Sequence, residues 1–289
     1  MSVPDDSDPR AVPGTWRTRR TEDGTLTLVH PVHGEACHSD VGAWRESWER
    51  YVEGCRLPER LRAEQPERLR VLDVGTGLGW NLAAVLVARD RFSAATRLDL
   101  VTLESDPEVM RTAIGLGDRA GQGPQAEALL EIHRVLSECL GALAGEGHAH
   151  RASTRFGYED QLTLCLGDAR DTLPELAREP GFDAVFLDPF SPRREPDLWA
   201  AEFLEEIAVR CAPDAWLSTY SASTGVRVAL SLAGFEIGPG ARVGAKAEGT
   251  LARRGAPLPP FEPKIARRIA RRVGEFARES GRSSLRRKS

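Results

Sequence analysis

The sequence predicts an α/β protein in which a mostly parallel, seven-stranded sheet has helices on both faces. Three observations lead to this fold class. From residue 69 onward, short apolar runs alternate with amphipathic segments of helical spacing, the order typical of a parallel sheet. The first apolar run ends in a glycine-rich turn that opens a helix. Acidic residues follow the next three runs, at the sheet edge where such proteins bind ligands.

The chain has 289 residues, of which 41% are hydrophobic and 28% charged, values typical of a soluble globular protein. Its N-terminus is polar, and no run approaches the roughly 18 apolar residues of a membrane span. The five cysteines are scattered and form no CxxC pair, which favours reduced thiols over a disulfide framework or a zinc site. We therefore expect a cytoplasmic protein with no membrane span and no bound metal.

Changes in composition divide the chain into four segments. Residues 1–13 are polar, contain three prolines and are expected to be disordered. Residues 14–60 are expected to form a hairpin and a helix that cap the substrate and the cofactor. Residues 61–252 form the main domain, which includes a helical insertion at 115–160. Residues 253–289 form a basic tail with an amphipathic helix.

The predicted elements follow in order along the chain. An Asp23-Gly24 turn between two apolar runs predicts a hairpin. Three-to-four spacing of Trp44, Trp48 and Tyr51 predicts a helix near 39–53, which Ser39 can cap. Seven short apolar runs of the main domain are interpreted as strands, at residues 69–74, 98–103, 162–166, 184–187, 216–220, 234–238 and 247–252. Helical spacing between the strands predicts helices at residues 81–88, 106–114, 125–143, 198–211 and 224–232.

Charge is distributed unevenly along the chain. Residues 252–289 carry 12 Lys+Arg and 3 Asp+Glu (net +9), whereas residues 1–251 carry 27 and 40 (net −13). An apolar stripe among arginines predicts a basic amphipathic helix at 261–279. Two interpretations remain open: the arginines contact an anionic partner, such as nucleic acid phosphates or a membrane surface, or the stripe docks on the enzyme with its arginines in water.

The glycine loop of the first strand has the spacing GxGxG, and it comprises Asp73, Gly75, Gly77 and Gly79. Its glycines let the backbone turn sharply and approach a ligand closely. Acids then follow the next three strands: Glu104, Asp168 and Asp188. A carboxylate can accept hydrogen bonds from both hydroxyls of a ribose, and an acid after the third strand can accept from an adenine amino group. Each acid alone is better explained as a helix N-cap or a solvated loop residue, but four signals in this order predict a nucleoside-cofactor site.

This order and spacing resemble those of the class I S-adenosylmethionine-dependent methyltransferases, whose fold is Rossmann-like. The resemblance implies S-adenosylmethionine as the cofactor, with the three glycines around its methionine part. It further implies Glu104 on the ribose and Asp168 near the adenine. Spermidine synthases share the layout, so the pattern leaves methyl transfer and aminopropyl transfer both open.

A narrower resemblance covers most of residues 16–250 and is to the methyltransferase domain of the bacterial tRNA-modifying MnmC proteins and their stand-alone relatives. The similar segments are Gly34-Glu-Ala-Cys-His-Ser39, the glycine loop with Asn81, Asp183-Ala-Val-Phe-Leu-Asp-Pro-Phe-Ser-Pro192 with Pro196-Asp-Leu-Trp199, and Thr219-Tyr-Ser-Ala-Ser-Thr-Gly-Val-Arg227. The sequence departs from the family at Cys37, where tyrosine is usual, at Pro189, where glycine is usual, and at Ala247, where arginine is usual.

This resemblance implies methylation of the aminomethyl group of 5-aminomethyl-(2-thio)uridine at the tRNA wobble position. tRNA is then a partner, and a separate oxidoreductase or tRNA-modifying enzyme supplies the substrate. Asp188 is predicted to orient the amine and take its proton. The predicted substrate contacts are Phe190 and Pro192, as an apolar wall for the uridine, with Tyr220, Arg227 and Lys246.

Several of these residues have plainer alternatives. Tyr220 is equally explained as a strand-end tyrosine with a satisfied hydroxyl, and Arg227 as part of a helix salt bridge. His38 lies either over the cofactor or on the surface. Two other functions also stay open: a methyl- or aminopropyltransferase acting on a small amine, and a non-catalytic RNA-binding protein with a cofactor fold.

Overall fold

A computed structural model of the chain describes residues 14–145, 150–157, 159–244 and 248–286. Residues 1–13, expected to be disordered, lie outside the described residues. The strands found in the described part are β1 (Arg17–Arg20), β2 (Leu26–Val29), β3 (Arg68–Val74), β4 (Arg97–Glu104), β5 (Arg151–Phe156), β6 (Asp160–Leu166), β7 (Phe182–Leu187), β8 (Cys211–Thr219), β9 (Glu236–Pro239) and β10 (Thr250–Arg253). Strands β1 and β2 form the predicted hairpin, and the other eight form one sheet.

Helices cover the sheet and complete the predicted architecture. They are α1 (Ala43–Glu46), a π-helix (Ser47–Val52), α2 (Leu57–Ala63), α3 (Trp80–Phe92), α4 (Pro107–Ile114), α5 (Pro124–Gly145), α6 (Ala169–Thr172), α7 (Ala201–Ala208), α8 (Thr224–Leu232) and α9 (Pro263–Arg286), with short 3-10 turns at Gly117–Ala120, Leu173–Glu175 and Pro196–Trp199. No helix among the described residues is long and apolar enough to cross a membrane.

The sheet has the strand order β5-β6-β4-β3-β7-β8-β10-β9. The run from β6 to β8 is parallel, while β5, β10 and β9 pair antiparallel with their neighbours. The predicted fold class is confirmed, but the predicted count of seven strands is wrong. The eighth strand is β5, inside the stretch predicted as a helical insertion. It was missed because it is a polar edge strand with alternate residues exposed to solvent, so it contains no apolar run.

The parallel strands separate two hydrophobic clusters, one on each face of the sheet. Side chains alternate between faces along a strand, so Leu69 and Val71 of β3 join one cluster, whereas Leu72 and Val74 join the other. The first cluster contains α3, α5 and the N-terminal hairpin, and the second contains α7 and α8. This burial on both faces explains why the central strands are continuous apolar runs.

The helix expected from residue 39 differs in its start and in its hydrogen bonding. It begins at Ala43 after Gly42, so Ser39 does not cap it. Instead, the Ser39 N–H donates to Glu46 Oε2 at 2.9 Å, and the helix continues as the π-helix Ser47–Val52. The helix predicted at 198–211 is likewise shorter, because a 3-10 turn at Pro196–Trp199 precedes α7.

The basic helix α9 packs on α8, and its apolar stripe is only partly covered. Ile269 is buried, whereas Phe276 is 46% exposed. Phe261, just before the helix, lies under the guanidinium of Arg227 at 4.2 Å. The exposed face carries the basic side chains Lys264, Arg267, Arg268, Arg271 and Arg272.

A buried ion pair joins α3 to β6. Arg89 Nη1 lies 2.8 Å from Asp160 Oδ2, and Asp160 Oδ1 also accepts from the Leu98 N–H at 2.7 Å. The Asp160 side chain is completely buried. Removing one partner of such a pair leaves a charge without compensation in the interior, which is far more costly than losing a surface pair.

We expect Arg89→Ala to lower the free energy of unfolding by about 3–5 kcal/mol, because Asp160 would keep a buried charge without its cation. Urea unfolding followed by circular dichroism measures the loss. Arg134→Ala is the matched control, since Arg134 pairs with Glu131 on the exposed face of α5, and it is expected to cost less than about 1 kcal/mol. Equal losses in the two variants would contradict the prediction.

Candidate functional site

A cleft of about 680 Å³ opens at the carboxyl ends of the central strands, a size typical of small-molecule sites. Its walls come from the glycine loop, the ends of β4, β6 and β7, and residues between Trp16 and Glu46, which are called the N-terminal cap below. The predicted site residues that line it are His38, Gly75, Gly77, Asn81, Glu104, Asp168, Asp188, Phe190 and Tyr220. Four others are not part of its lining: Asp73, Gly79, Pro192 and Arg227. Lys246 lies outside the described residues.

The glycine loop requires glycine for two different reasons. Gly75 has φ +93°, and a Cβ built there would lie 2.7 Å from the backbone oxygen of Asp188. The loop therefore packs directly against the end of β7. Gly79 has φ +87°, and its Cβ would lie 3.1 Å from Ile132 of α5. Gly79 thus lets α5 pack behind the loop, where His133 Nε2 donates to the Leu78 carbonyl at 2.8 Å.

Glu104, at the end of β4, is oriented by three backbone N–H groups. Its Oε2 accepts from Gly77 at 3.0 Å, and its Oε1 accepts from Ser105 and Asp106 at 2.8 and 3.0 Å. Burial raises the pKa of Glu104 to about 7, although these hydrogen bonds favour the charged form. The carboxylate is therefore held in one orientation beside the glycine loop, before any ligand arrives.

Asp168, after β6, has a local structural role in addition to its place in the cleft. It is the N-cap of α6 and accepts from the Arg170 N–H at 2.9 Å. The Arg170 guanidinium also pairs with it at 2.6 Å and holds its pKa below the usual range. The helix-cap interpretation of this acid is thus correct for its local contacts, while its side chain remains on the cleft wall.

Asp73, Asn81 and Asp188 form one hydrogen-bonded group under the cleft. Asn81 Nδ2 donates to Asp188 Oδ2 at 3.0 Å and to Asp73 Oδ1 at 3.2 Å. Asp73 is completely buried, and Thr102 donates to its other oxygen at 3.0 Å. Burial raises the pKa of Asp73 to about 7. Asp73 therefore supports the cleft from behind, whereas Asn81 and Asp188 reach its surface.

Asp188 lies among groups that make its charged form costly. Burial, followed by the nearby charge of Glu46, raises the pKa of Asp188 well above its usual value. Glu46, which lines the cleft, is itself paired with the buried guanidinium of Arg50 at 3.3 Å. A raised pKa makes this carboxylate a stronger base than an ordinary aspartate.

The corner that follows Asp188 is held by its own side-chain contacts. The Tyr220 hydroxyl donates to the Pro189 carbonyl at 2.9 Å, and Trp199 Nε1 donates to the Phe190 carbonyl at 2.9 Å. The Phe190 N–H donates to Glu195 Oε2 at 2.7 Å. Tyr220 thus matches the alternative of a satisfied strand-end tyrosine, although it also borders the cleft. Phe190 forms part of the wall without Pro192.

The N-terminal cap contributes residues that the sequence did not single out. Trp16 Nε1 donates to Asp106 Oδ2 at 3.1 Å, and the Trp16 ring meets His30 edge-on at 4.8 Å. Glu35 accepts from the Ser191 hydroxyl at 2.9 Å, which ties the cap to the corner after β7. His38 is buried and lines the cleft, so the surface interpretation of His38 is wrong. Of Trp16, His30 and Glu35, which were not predicted as site residues, only Glu35 belonged to a sequence motif, the Gly34-Glu35 pair.

Arg227 was predicted to contact substrate, but it is buried away from the cleft. Its Nε donates to Thr250 Oγ1 at 3.0 Å and its Nη2 to the Gly249 carbonyl at 3.2 Å. Glu248 lies 3.6 Å from the same guanidinium. Arg227 therefore joins α8 to β10 and to Phe261 before α9, in agreement with the salt-bridge alternative.

Acids dominate the lining of the cleft. Nine carboxylates border it: Glu35, Asp40, Glu46, Glu104, Asp106, Asp168, Asp188, Glu195 and Asp197. Only three arginines accompany them there, Arg19, Arg170 and Arg194. Such a lining attracts cations and repels phosphates. Among the described residues, no cluster of His, Cys, Asp and Glu has the arrangement of a metal site.

A family model described as S-adenosyl-L-methionine-dependent methyltransferase matches residues 132–255. The tRNA 5-methylaminomethyl-2-thiouridine biosynthesis bifunctional protein MnmC of Burkholderia thailandensis is 31% identical over 260 residues, which cover 88% of this chain and 36% of that protein. The MnmC protein of Burkholderia mallei is 31% identical over 234 residues, 78% of this chain and 33% of that protein. The chain thus spans about a third of the length of these curated relatives.

A solved structure extends the similarity over nearly the whole chain. The crystal structure of MNMC2 from Aquifex aeolicus superposes with a TM-score of 0.72 at 30% sequence identity. The match covers 93% of this chain and 78% of that one. The resemblance found in the sequence motifs is therefore confirmed by fold and by identity.

We expect Gly75→Ala to weaken S-adenosylmethionine binding more than tenfold, or about 1.4 kcal/mol, because the new Cβ pushes the glycine loop away from Asp188. Gly234→Ala is the matched control: Gly234 also has a positive φ (+87°), but nothing lies within 4 Å of its Cβ position. Both variants lose about 1–2 kcal/mol of stability through the left-handed backbone. Titration calorimetry compares the affinities, and equal affinities for the two variants would refute the packing role.

Proposed function

This chain belongs to the family of S-adenosyl-L-methionine-dependent methyltransferases that includes MNMC2 from Aquifex aeolicus, and from that premise we propose its acceptor and mechanism. The acceptor is the aminomethyl nitrogen of 5-aminomethyl-(2-thio)uridine at the wobble position of tRNA. The MnmC relatives are named for biosynthesis of 5-methylaminomethyl-2-thiouridine, the product of such a transfer. The observation that carries the proposal is the place of Asp188, a carboxylate of raised pKa at the cleft surface beside the glycine loop.

The contacts within the cleft fit the cofactor. The backbone at Gly75 and Gly77 leaves room for the methionine part, and the oriented carboxylate of Glu104 suits a ribose diol. Asp168 and His38 both line the cleft, and we assign Asp168 to the adenine and His38 to a contact with the cofactor. When bound, S-adenosylmethionine supplies an electrophilic methyl group on a sulfonium. The acidic lining favours this cationic ligand.

Asp188 performs the proton chemistry in the proposed mechanism. An aminomethyl group is protonated in water, and an ammonium nitrogen has no lone pair to attack a methyl group. The Asp188 carboxylate first pairs with the ammonium and then accepts one of its protons, which leaves the nitrogen with a free electron pair. The raised pKa of Asp188 brings it closer to that of the amine and makes this transfer less unfavourable.

Alignment supplies most of the remaining acceleration. Phe190 borders the cleft next to Asp188, and its ring offers an apolar face to a pyrimidine. Holding the amine in line with the methyl group contributes roughly 7–11 kcal/mol when the alignment is good. The corner contacts made by Tyr220 and Trp199 limit movement of Phe190 during this step.

tRNA phosphates have to be held outside the acidic cleft, and α9 offers a suitable surface. Its exposed side carries Arg267, Arg268, Arg271 and Arg272, spaced so that they line neighbouring turns. We propose that this surface contacts the tRNA backbone, where released counterions would drive binding. The protein then acts in the cytoplasm, on tRNA that a separate oxidoreductase or tRNA-modifying enzyme has supplied with the aminomethyl group.

A second candidate acceptor is a small free amine. The nine carboxylates of the cleft favour it, because they attract any cation and do not require a nucleic acid. Radiolabelled S-adenosylmethionine, offered with bulk tRNA from cells lacking the methylated nucleoside and with a panel of small amines, separates the two. We expect label in tRNA. Label only in the amines would replace the proposed acceptor with the second one.

We expect Asp188→Asn to lower the rate of methyl transfer by about 10²–10⁴-fold, because the amide cannot accept the amine proton. Single-turnover assays with labelled S-adenosylmethionine measure this rate. Cofactor affinity, followed by calorimetry, is expected to remain within threefold of the wild-type value, about 0.7 kcal/mol. A variant that transfers methyl groups at a near wild-type rate would rule out Asp188 as the proton acceptor.

We expect the double variant Arg268→Ala/Arg272→Ala to weaken tRNA binding and to reduce the slope of log K against log salt by about 2, since each lost phosphate contact contributes roughly 0.9. Filter binding at several salt concentrations measures both quantities. The matched control Arg111→Ala/Arg134→Ala removes two exposed arginines from α4 and α5. Binding that weakens equally in both double variants would speak against a specific role for α9.

A further inference from the structure

Ser47 is a buried residue to which the proposed chemistry gives no role. It is the first residue of the π-helix Ser47–Val52, and its side chain has no exposed surface. Its hydroxyl donates to Asn81 Oδ1 at 2.8 Å. Ser47 is not part of the cleft lining, but Asn81 is. One turn of π-helix within a helical segment is often found beside a functional site.

The partners of Asn81 determine which way its amide points. Its Nδ2 faces two carboxylate oxygens, Asp188 Oδ2 at 3.0 Å and Asp73 Oδ1 at 3.2 Å. A charged carboxylate accepts hydrogen bonds and cannot donate them. Asn81 Oδ1 receives the Ser47 hydroxyl on the opposite side. A rotation of the amide by 180° would place Oδ1 against both carboxylates. The two carboxylates therefore favour this orientation of the amide, and the Ser47 hydroxyl, which can donate or accept, satisfies the amide oxygen.

We propose that Ser47 and Asn81 are positioning residues, which hold the Asp188 carboxylate in the orientation that receives the acceptor amine. Ser47 holds the side-chain amide of Asn81, and the Nδ2 of Asn81 donates to Asp188 and Asp73. The inference rests on the proposed role of Asp188, but it does not depend on whether the amine belongs to tRNA or to a small molecule. It also gives Asn81 a task at the acceptor end of the cleft, in addition to its expected place beside the cofactor.

The ionisable groups around Asp188 explain why its carboxylate needs hydrogen-bond donors. The ionisable groups that face it come from every neighbouring element: Glu46 of α1, Tyr51 of the π-helix, Asp73 of β3, Cys37 of the cap and Tyr220 after β8. Burial and Glu46 raise the pKa of Asp188, while hydrogen bonds from Tyr51 and Asn81 oppose that rise. A misoriented Asn81 amide would remove one of these two opposing donors. The pKa of Asp188 would then rise further, and the carboxylate would be protonated over a wider pH range.

Ser47→Ala tests this chain of contacts without touching the cleft. Aspartate labelled with ¹³C at its side-chain carboxyl reports each titration by NMR, and Asp188→Asn identifies the resonance of Asp188. We expect the Asp188 midpoint to move to higher pH in Ser47→Ala. The acidic limb of the pH profile of kcat/KM is expected to move in the same direction. Activity below the midpoint then falls about tenfold for every pH unit by which the midpoint rises.

Ser218→Ala is the matched control. Ser218 is equally buried, and its hydroxyl donates to the Arg50 carbonyl of the same π-helix at 2.7 Å, without a contact to Asn81. This control loses a comparable buried hydrogen bond, but the titration of Asp188 is expected to stay unchanged. Ser47→Thr keeps a hydroxyl at the same position and is expected to titrate like the wild type. S-adenosylmethionine affinity is expected to be unchanged in Ser218→Ala and in Ser47→Thr.

The possible results separate this inference from the proposed function. A wild-type Asp188 titration in Ser47→Ala, or an equal change of midpoint in Ser218→Ala, would overturn the positioning role. A higher midpoint confined to Ser47→Ala supports it, even if no tRNA is methylated by the wild-type protein. In that case the proposed acceptor fails, while the positioning of Asp188 stands, because the NMR titration does not use the reaction.

Discussion

The parallel pairing of β3 with β7 brings the glycine loop and Asp188 into contact. The register continues to the last residues of both strands, where the Asp188 N–H donates to the Val74 carbonyl at 2.9 Å. One residue further, Gly75 lies against the Asp188 carbonyl with no space for a side chain. The cofactor loop and the acid proposed to receive the amine proton are therefore neighbours through the backbone. This constraint also lets Asn81, on the first turn of α3, reach Asp73 and Asp188 together.

The acids in the cleft lining and behind it remain compatible with a folded protein because most have their own donors. Glu104 accepts from three backbone N–H groups, Asp73 from Thr102 and Asn81, and Glu46 from Arg50 and the Ser39 N–H. Buried carboxylates without such partners would be protonated or would destabilise the fold. Several of these donors, among them Gly77, Ser105 and Ser39, belong to the cleft lining themselves, so the carboxylates are fixed in place at its surface. A site of this kind attracts cations, which suits a sulfonium cofactor and an ammonium acceptor.

Much of this arrangement was predictable from the sequence because parallel strands end at one edge. The central strands are buried on both faces, so each is a continuous apolar run whose last residue can be recognised in the sequence. The acids that follow these strands therefore lie at one edge of the sheet, in the same cleft. What could not be predicted depends on contacts between distant residues. Glu46 reaches back to Ser39 and replaces the expected cap. β5 has no apolar run because it lies at the edge of the sheet. Arg227 has buried partners near residue 250 that no local pattern reveals.

The packing of α5 behind the glycine loop ties this loop to the stability of the helix. Gly79 allows Ile132 to approach, and His133 binds the Leu78 carbonyl from the same helix. The loop thus lies between the cleft on one side and a 22-residue helix on the other. Local opening of α5 would release the loop as well, so the two belong to one cooperative unit. Amide hydrogens of α5, whose described residues do not line the cleft, would then exchange with solvent more slowly once the cofactor is bound.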